Sequence, residues 1–172
     1  MAPERQPTLA GERVTLRPST PGDWDALFAI ASDPLVWEVH PANDRWQEPV
    51  FRAYFDAGIA SGGALTILDR ATGAVIGSSR YDNWDEAADE IEIGWTYLDR
   101  AYWGGAYNRE IKRLMLDHIH RFVGTVYFTV GVDNIRSRRA MEKIGGALRP
   151  DTELRLMAGE MKPHVIYEIR RA

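Results

Sequence analysis

Polar and apolar residues alternate from Arg13 through Val14, Thr15, Leu16 and Arg17 until Pro18 interrupts, which predicts a short first strand. Pro21-Gly22-Asp23 then opens a helix in which Trp24, Leu27, Phe28 and Ala31 recur at spacings of three and four, and Asp33-Pro34 closes it. A second helix is expected over Glu48 to Ala60, with Phe51, Tyr54 and Phe55 inward and Ser61-Gly62-Gly63 as its breaker. Ala64 to Leu68 and Ala74 to Tyr81 read as a hairpin joined at Asp69 to Gly73, and a polar connector, Asp82 to Ala88, leads to an alternating strand over Asp89 to Leu98. Ile111, Leu114, Met115, Ile119 and Phe122 form one stripe, the clearest helical pattern in the chain. Thr125 to Val132 is a β-rich run, Asn134 to Ile144 a helix closed by Gly145-Gly146, and a last strand is expected around Val165 to Ile169.

This order predicts a mixed α/β fold with helices on the faces of a central, mostly antiparallel sheet. One parallel pair is expected, because the Glu92 strand reaches the Thr125 strand through a helix, as in a βαβ unit. The 172 residues suit one domain, 1–172, and no repeat or linker divides them. Between the alternating strand and the strongest helix lies Tyr102-Trp103-Gly104-Gly105-Ala106-Tyr107-Asn108. A glycine turn feeding a helix N-terminus lets backbone N–H groups approach a ligand and favours an anion such as a phosphate. Ligands of open α/β sheets bind beyond the carboxyl ends of strands, where this turn sits.

Composition narrows the chemistry. Apolar residues make up 45% and charged residues 27%, so disorder is not expected. With no cysteine, thiolate metal sites and a cysteine nucleophile are excluded, and the composition suits a reducing cytoplasm. No run approaches the ~20 apolar residues needed to cross a bilayer, so a soluble, cytoplasmic protein without membrane association is expected. The net charge of −4 argues against a broad nucleic-acid grip and fits a cationic or amine partner better.

In order along the chain, R-V-T-L-R-P, the E-I-G-W of the alternating strand, Y-W-G-G-A-Y-N-R-E and N-I-R-S-R-R-A-M-E-K-I-G-G resemble the GNAT superfamily of acyl-CoA-dependent N-acetyltransferases, particularly its ribosomal-protein N-terminal acetyltransferase branch. The resemblance implies acetyl-CoA as cosubstrate, no metal, and transfer to a primary amine, either a peptide N-terminus or a small molecule. It places Trp103, Gly104, Gly105, Ala106, Tyr107 and Asn108 at the pyrophosphate turn, with Ala106 in place of its second glycine and Asn108 in place of its closing small residue. Alanine fits there with a negative φ and is strained with a left-handed one. Tyr97 and Leu98 would offer main-chain groups to the pantetheine arm, and Asn134 would contact that arm or cap its helix. Arg136, Arg138 and Arg139 are within sequence reach of the phosphates, against the plainer reading of a solvated helix face.

An alkylammonium with a pKa near ~10 must lose a proton before it attacks a thioester. Glu92 matches the family's strand glutamate, proposed to act as a base through water in some members. Alternation places Glu90 beside it on one face and Ile91, Ile93 and Trp95 on the other, and the repulsion of a second carboxylate suits a base working near neutral pH. Met141 stands where the family often has a tyrosine acid, whereas Ser137 matches a serine of the ribosomal branch that would lie near the cofactor sulfur. The structural alternatives are a solvated pair of carboxylates for Glu92 and a backbone-bonded helix serine for Ser137. A non-catalytic acyl-CoA-binding sensor or scaffold is the competing function, and a homodimer is an open option.

Other features read as structural. His118 and His120 are two apart on a helix and do not face one another, and His40 and His164 lack metal-ligand spacing. Trp37 and Trp46 flank the segment between the first two helices, where the family builds its acceptor wall, although core packing is the usual fate of tryptophan.

Overall fold

The computed structural model describes residues 1–172, which form β1 (Leu9–Ala10), β2 (Val14–Pro18), α1 (Trp24–Ala31), α2 (Glu48–Ser61), β3 (Ala64–Asp69), β4 (Val75–Asp85), β5 (Glu90–Leu98), α3 (Ala106–Ile119), β6 (Thr125–Gly131), α4 (Ile135–Lys143), β7 (Ala147–Met157) and β8 (Glu160–Arg170). The eight strands make one sheet in the order β1-β2-β3-β4-β5-β6-β8-β7. Every neighbouring pair is antiparallel except β5 and β6, whose connection runs through α3. The expected mixed sheet with one parallel pair is therefore the observed one.

Two apolar clusters cover its faces. One joins Val14, Leu16, Leu65, Ile67, Ile91, Ile93 and Val126 of the sheet to Ile111, Met115 and Ile119 of α3. The other packs Leu27, Ile30 and Ala31 of α1 and Phe51 and Phe55 of α2 against Trp37 and Tyr97. The stripe predicted on α3 is the buried one, and burial of such side chains is worth roughly 1.5–3 kcal/mol each. Glu110, buried on the same helix, accepts the N–H groups of Glu12 (3.1 Å), Arg13 (2.8 Å) and Val14 (2.9 Å), tying the start of β2 to α3.

Two boundaries differ from the pattern. β4 runs on through Asp85, so the reversal before β5 is shorter than the Asp82 to Ala88 connector suggested. Its outer part is irregular in register and holds Asn83 at φ 50°, which masks it as a strand. The hairpin β7–β8 is also far longer than the strand expected around Val165, and β7, an edge strand, is exposed along most of its length.

Candidate active site

β5 and β6 are paired only at Glu90–Thr125, Ile91–Val126 and Glu92–Tyr127. Beyond these, β5 keeps β4 as far as Leu98 and β6 keeps β8 as far as Gly131, so the two halves of the sheet part and leave a notch between them. The cause lies in β5. Its register with β4 shifts between Ser78 and Arg80, and Trp95 takes φ 54°, a left-handed conformation that a large side chain adopts only when its surroundings enforce it. Tyr54 of α2 holds that bulge by donating its hydroxyl to the Trp95 carbonyl at 2.6 Å.

The bulge corrects the expected partition of β5. Ile91 and Ile93 face α3, but Trp95 lies on the Glu92 face, where Arg80 sits 4.3 Å and Arg155 5.8 Å from its ring. Thr96 accordingly turns toward α3, where Lys112 donates to its hydroxyl at 2.6 Å, and Tyr97 returns to the α1–α2 face. One extra residue shifts the alternation by one position.

At the mouth of the notch is the glycine turn. Gly104 and Gly105 have φ 117° and 102°, values suited to residues without Cβ, and α3 begins at Ala106. Ala106 is thus helical with negative φ, and the alanine carries no strain. Arg109 N–H, bonded to the Gly105 carbonyl at 2.9 Å, is the first of α3 to find an acceptor. The amides of Ala106, Tyr107 and Asn108 remain free, and together with the helix dipole they suit a phosphate. Tyr107 anchors the turn through its hydroxyl to Asp69 (3.1 Å), and Trp103 through its indole N–H to the Leu98 carbonyl (3.0 Å). Arg136 of α4 lies over the Trp103 ring at 3.8 Å. Arg138 instead bonds the Tyr167 hydroxyl and the Val132 carbonyl, a structural post.

The opposite wall of the notch is α4. Asn134 is buried and caps this helix, its side chain accepting the Ser137 N–H at 3.3 Å, while the half-buried Ser137 hydroxyl makes no bond within the chain. Met141 is buried in the core. The side chains of Tyr97 and Leu98 also pack inward, so what these residues can present to the notch is main chain.

Glu92 is 1% exposed and its carboxylate is fully engaged. Asn83 donates to it at 2.7 Å, and Arg155 of β7 lies 3.0 Å from both oxygens. Glu90 is paired separately with Arg149, also of β7, at 2.7 Å. Each of the two carboxylates therefore has its own guanidinium, and their mutual repulsion is compensated. The strand supplying both arginines is the one the hydrophobic pattern did not reveal.

The structure adds two histidines. His164 is buried with Nδ1 on the Lys162 carbonyl (2.8 Å) and Nε2 unpartnered, within electrostatic reach of Arg155, Glu153 and Glu92. Burial lowers its pKa, so a neutral ring with a bare Nε2 is favoured. His40 accepts the Ala42 N–H at 2.9 Å, and burial, reinforced by the charge of Arg45, pushes its pKa down to about 3. Neither residue has a sequence signature, because it is the long segment between α1 and α2 that folds over β6 and β8 to bring them near. No group of three or more His, Asp and Glu side chains is arranged to hold a metal ion, and no helix is long and apolar enough to cross a membrane.

A notch between parting parallel strands, with a phosphate-suited turn at its mouth, has room along it for an extended ligand and donors for an anion at one end. The acetyltransferase (GNAT) domain model matches residues 13–147, and the chain belongs to that family. Among solved structures it is similar to a GCN5-related N-acetyltransferase from Brucella melitensis, with 21% identity, a TM-score of 0.83, and coverage of 98% of this chain and 80% of that one. A GNAT-family protein from Chromobacterium violaceum has 20% identity and a TM-score of 0.83 over 98% and 87% of the two chains. The spermidine N-acetyltransferase from Vibrio cholerae, in complex with CoA and spermine, has 14% identity and a TM-score of 0.72 over 93% and 96%. At these identities the likeness to solved structures is one of fold.

Proposed function

We propose that the chain acts as one domain, 1–172, and is an acetyl-CoA-dependent N-acetyltransferase of the cytoplasm that passes the acetyl group directly to a primary amine in a ternary complex. The observation that carries this reading is the β5–β6 notch ending at the free amides of Ala106, Tyr107 and Asn108. Those amides, with Trp103, Gly104 and Gly105, would hold the pyrophosphate, Arg136 would add charge there, and the main chain of Tyr97 and Leu98 would pair with the pantetheine arm. Asn134 fixes the facing helix. Acetyl-CoA, when bound, supplies an activated thioester carbonyl.

The protein's own part is to hold the amine against that carbonyl and to receive its proton. Positioning alone can supply ~7–11 kcal/mol, and a placed base a further 10²–10⁴ or so in rate. Glu92 is the proposed acceptor of the proton through a water, in competition with Arg155, which holds the same oxygens. Ser137 has a free hydroxyl and is the proposed donor to the departing sulfur. The resemblance to the ribosomal branch supports a peptide N-terminus as acceptor, and the likeness to the Vibrio cholerae spermidine enzyme supports a small amine.

Release of CoA thiol should be followed with acetyl-CoA and a panel of peptide N-termini, amino acids and polyamines. Turnover that falls about 10²–10⁴-fold in Glu92→Gln, with acetyl-CoA binding kept, supports the assignment. Met141, which offers no acid where the family often has a tyrosine, favours a second reading as a non-catalytic acyl-CoA-binding module. Tight acetyl-CoA binding without turnover on any amine would establish that second reading.

A further inference from the structure

The guanidinium of Arg45, in the segment between α1 and α2, lies 4.5 Å from the Tyr54 ring centroid and 5.4 Å from that of Trp37. It forms no ion pair and donates no hydrogen bond within the chain, although it is half-buried. Its neighbours are neutralised. Arg80, 5.8 Å from the Tyr54 ring centroid, is paired with Asp82 at 3.2 Å, and Arg155 with both Glu92 and Glu153. Arg45 is therefore a cation without a carboxylate partner on this wall of the cleft, joined within electrostatic reach of His40 by Arg136, stacked on Trp103, and Lys162, bonded to the Pro41 carbonyl. Aromatic rings satisfy the faces of a guanidinium but not its edge, whose N–H groups are arranged to bind a carboxylate or phosphate.

Its position relative to the reaction follows from shared contacts. The same Tyr54 that carries Arg45 on its ring bonds the Trp95 carbonyl of the bulge, so Arg45 stands one side chain away from where β5 and β6 part. Trp37 in turn packs on Tyr97 at 5.2 Å and on His40 at 5.5 Å. Resting on the acetyltransferase reading above, we propose that Arg45 binds an anionic group of the acceptor, so that the substrate is a small amine carrying a carboxylate or a phosphate rather than a polyamine. This reverses at the site what the overall charge of −4 suggested for the partner. The acidic side chains Asp85, Glu86 and Glu90 line a separate open depression at the β4–β5 reversal.

The test uses two matched pairs of probes, L-phenylalanine against phenethylamine and O-phosphoethanolamine against ethanolamine, with spermidine as the cationic control. Binding is measured by calorimetry on the full chain with and without CoA, and kcat/KM by thiol release with acetyl-CoA. The expected result is that the anionic member of at least one pair is favoured tenfold or more. The pair that shows it identifies carboxylate or phosphate as the group. Arg45→Gln should reduce that ratio to near one, and Arg45→Lys should keep part of it. Equal or better handling of the amines that lack the acid group, or of spermidine, overturns the proposal, as does a ratio that survives Arg45→Gln in a protein of unchanged Tm. The calorimetric ratios discriminate between these outcomes even without turnover. Failure of acetyl-CoA to bind at all would count against the acetyltransferase reading instead.

Discussion

Replacing Arg155 with alanine should be among the most damaging single changes outside the apolar core. The guanidinium lies 3.0 Å from both oxygens of Glu92, a carboxylate 1% exposed, and also bonds Thr129 at 3.2 Å. Without it, Asn83 is the one remaining donor to a buried negative charge. Removing one partner of a buried ion pair costs about 3–5 kcal/mol, mostly because the other charge is left uncompensated. For a chain of this length each kcal/mol moves Tm by roughly 2–4 °C, so a fall of about 6–20 °C is expected. Glu92→Gln should restore much of that loss in the Arg155→Ala background, since a neutral amide needs no counter-charge. Chemical denaturation of the wild type, both single variants and the double variant closes the cycle, with an expected coupling of at least about 2 kcal/mol. A loss below about 1 kcal/mol in Arg155→Ala, or additive single effects, would refute the claim that β7 holds the site's carboxylate.

Further outcomes follow from the same geometry. Lys112 is buried with Thr96 as its hydrogen-bond partner, and burial lowers its pKa to about 7. The unfolded chain then binds more protons between about pH 7 and the ordinary lysine value near ~10.5, so folding stability should rise with pH across that window. Lys112→Met should raise stability at pH 7 and flatten the rise, and a steeper or unchanged slope in denaturation at several pH values would contradict this. Glu110→Ala strands three N–H groups at the start of β2 and should cost at least about 3 kcal/mol by urea denaturation; a cost under about 1 kcal/mol would show that water satisfies them. Asn134→Ala removes the cap of α4 and should cost about 1 kcal/mol of stability. Ser137→Ala should leave stability unchanged and lower kcat, and equal kcat in that variant would remove Ser137 from the chemistry.

Much of this was legible because burial and sequence pattern agree. The stripe of α3 is one-sided and packed, the β5 alternation holds while β5 is paired with β6, and the glycine turn falls at the start of a strong helix. The rest was hidden for physical reasons. β7 pairs on one side only and is solvated on most of both faces, so it needs no alternation of polar and apolar residues, and Pro150 within it argues against a strand. Its arginines consequently read as surface charge. The bulge at Trp95 could not be read from β5 itself, because it depends on the register with β4 and on a hydroxyl from α2. His40, Arg45 and His164 reach the site by the path of a long irregular segment and of the β8 strand, and no local pattern encodes that meeting.

Whether the β5–β6 notch and the Trp103 to Asn108 turn bind acetyl-CoA is decided by calorimetric titration of the full chain with acetyl-CoA, beside Gly105→Asp. Gly105 has φ 102°, which an aspartate tolerates poorly, and the added carboxylate would face the phosphates. Micromolar binding is expected for the wild type, with its loss in a variant whose circular dichroism is unchanged. No binding by the folded wild type, or equal binding by the variant, would rule out this site for the cofactor.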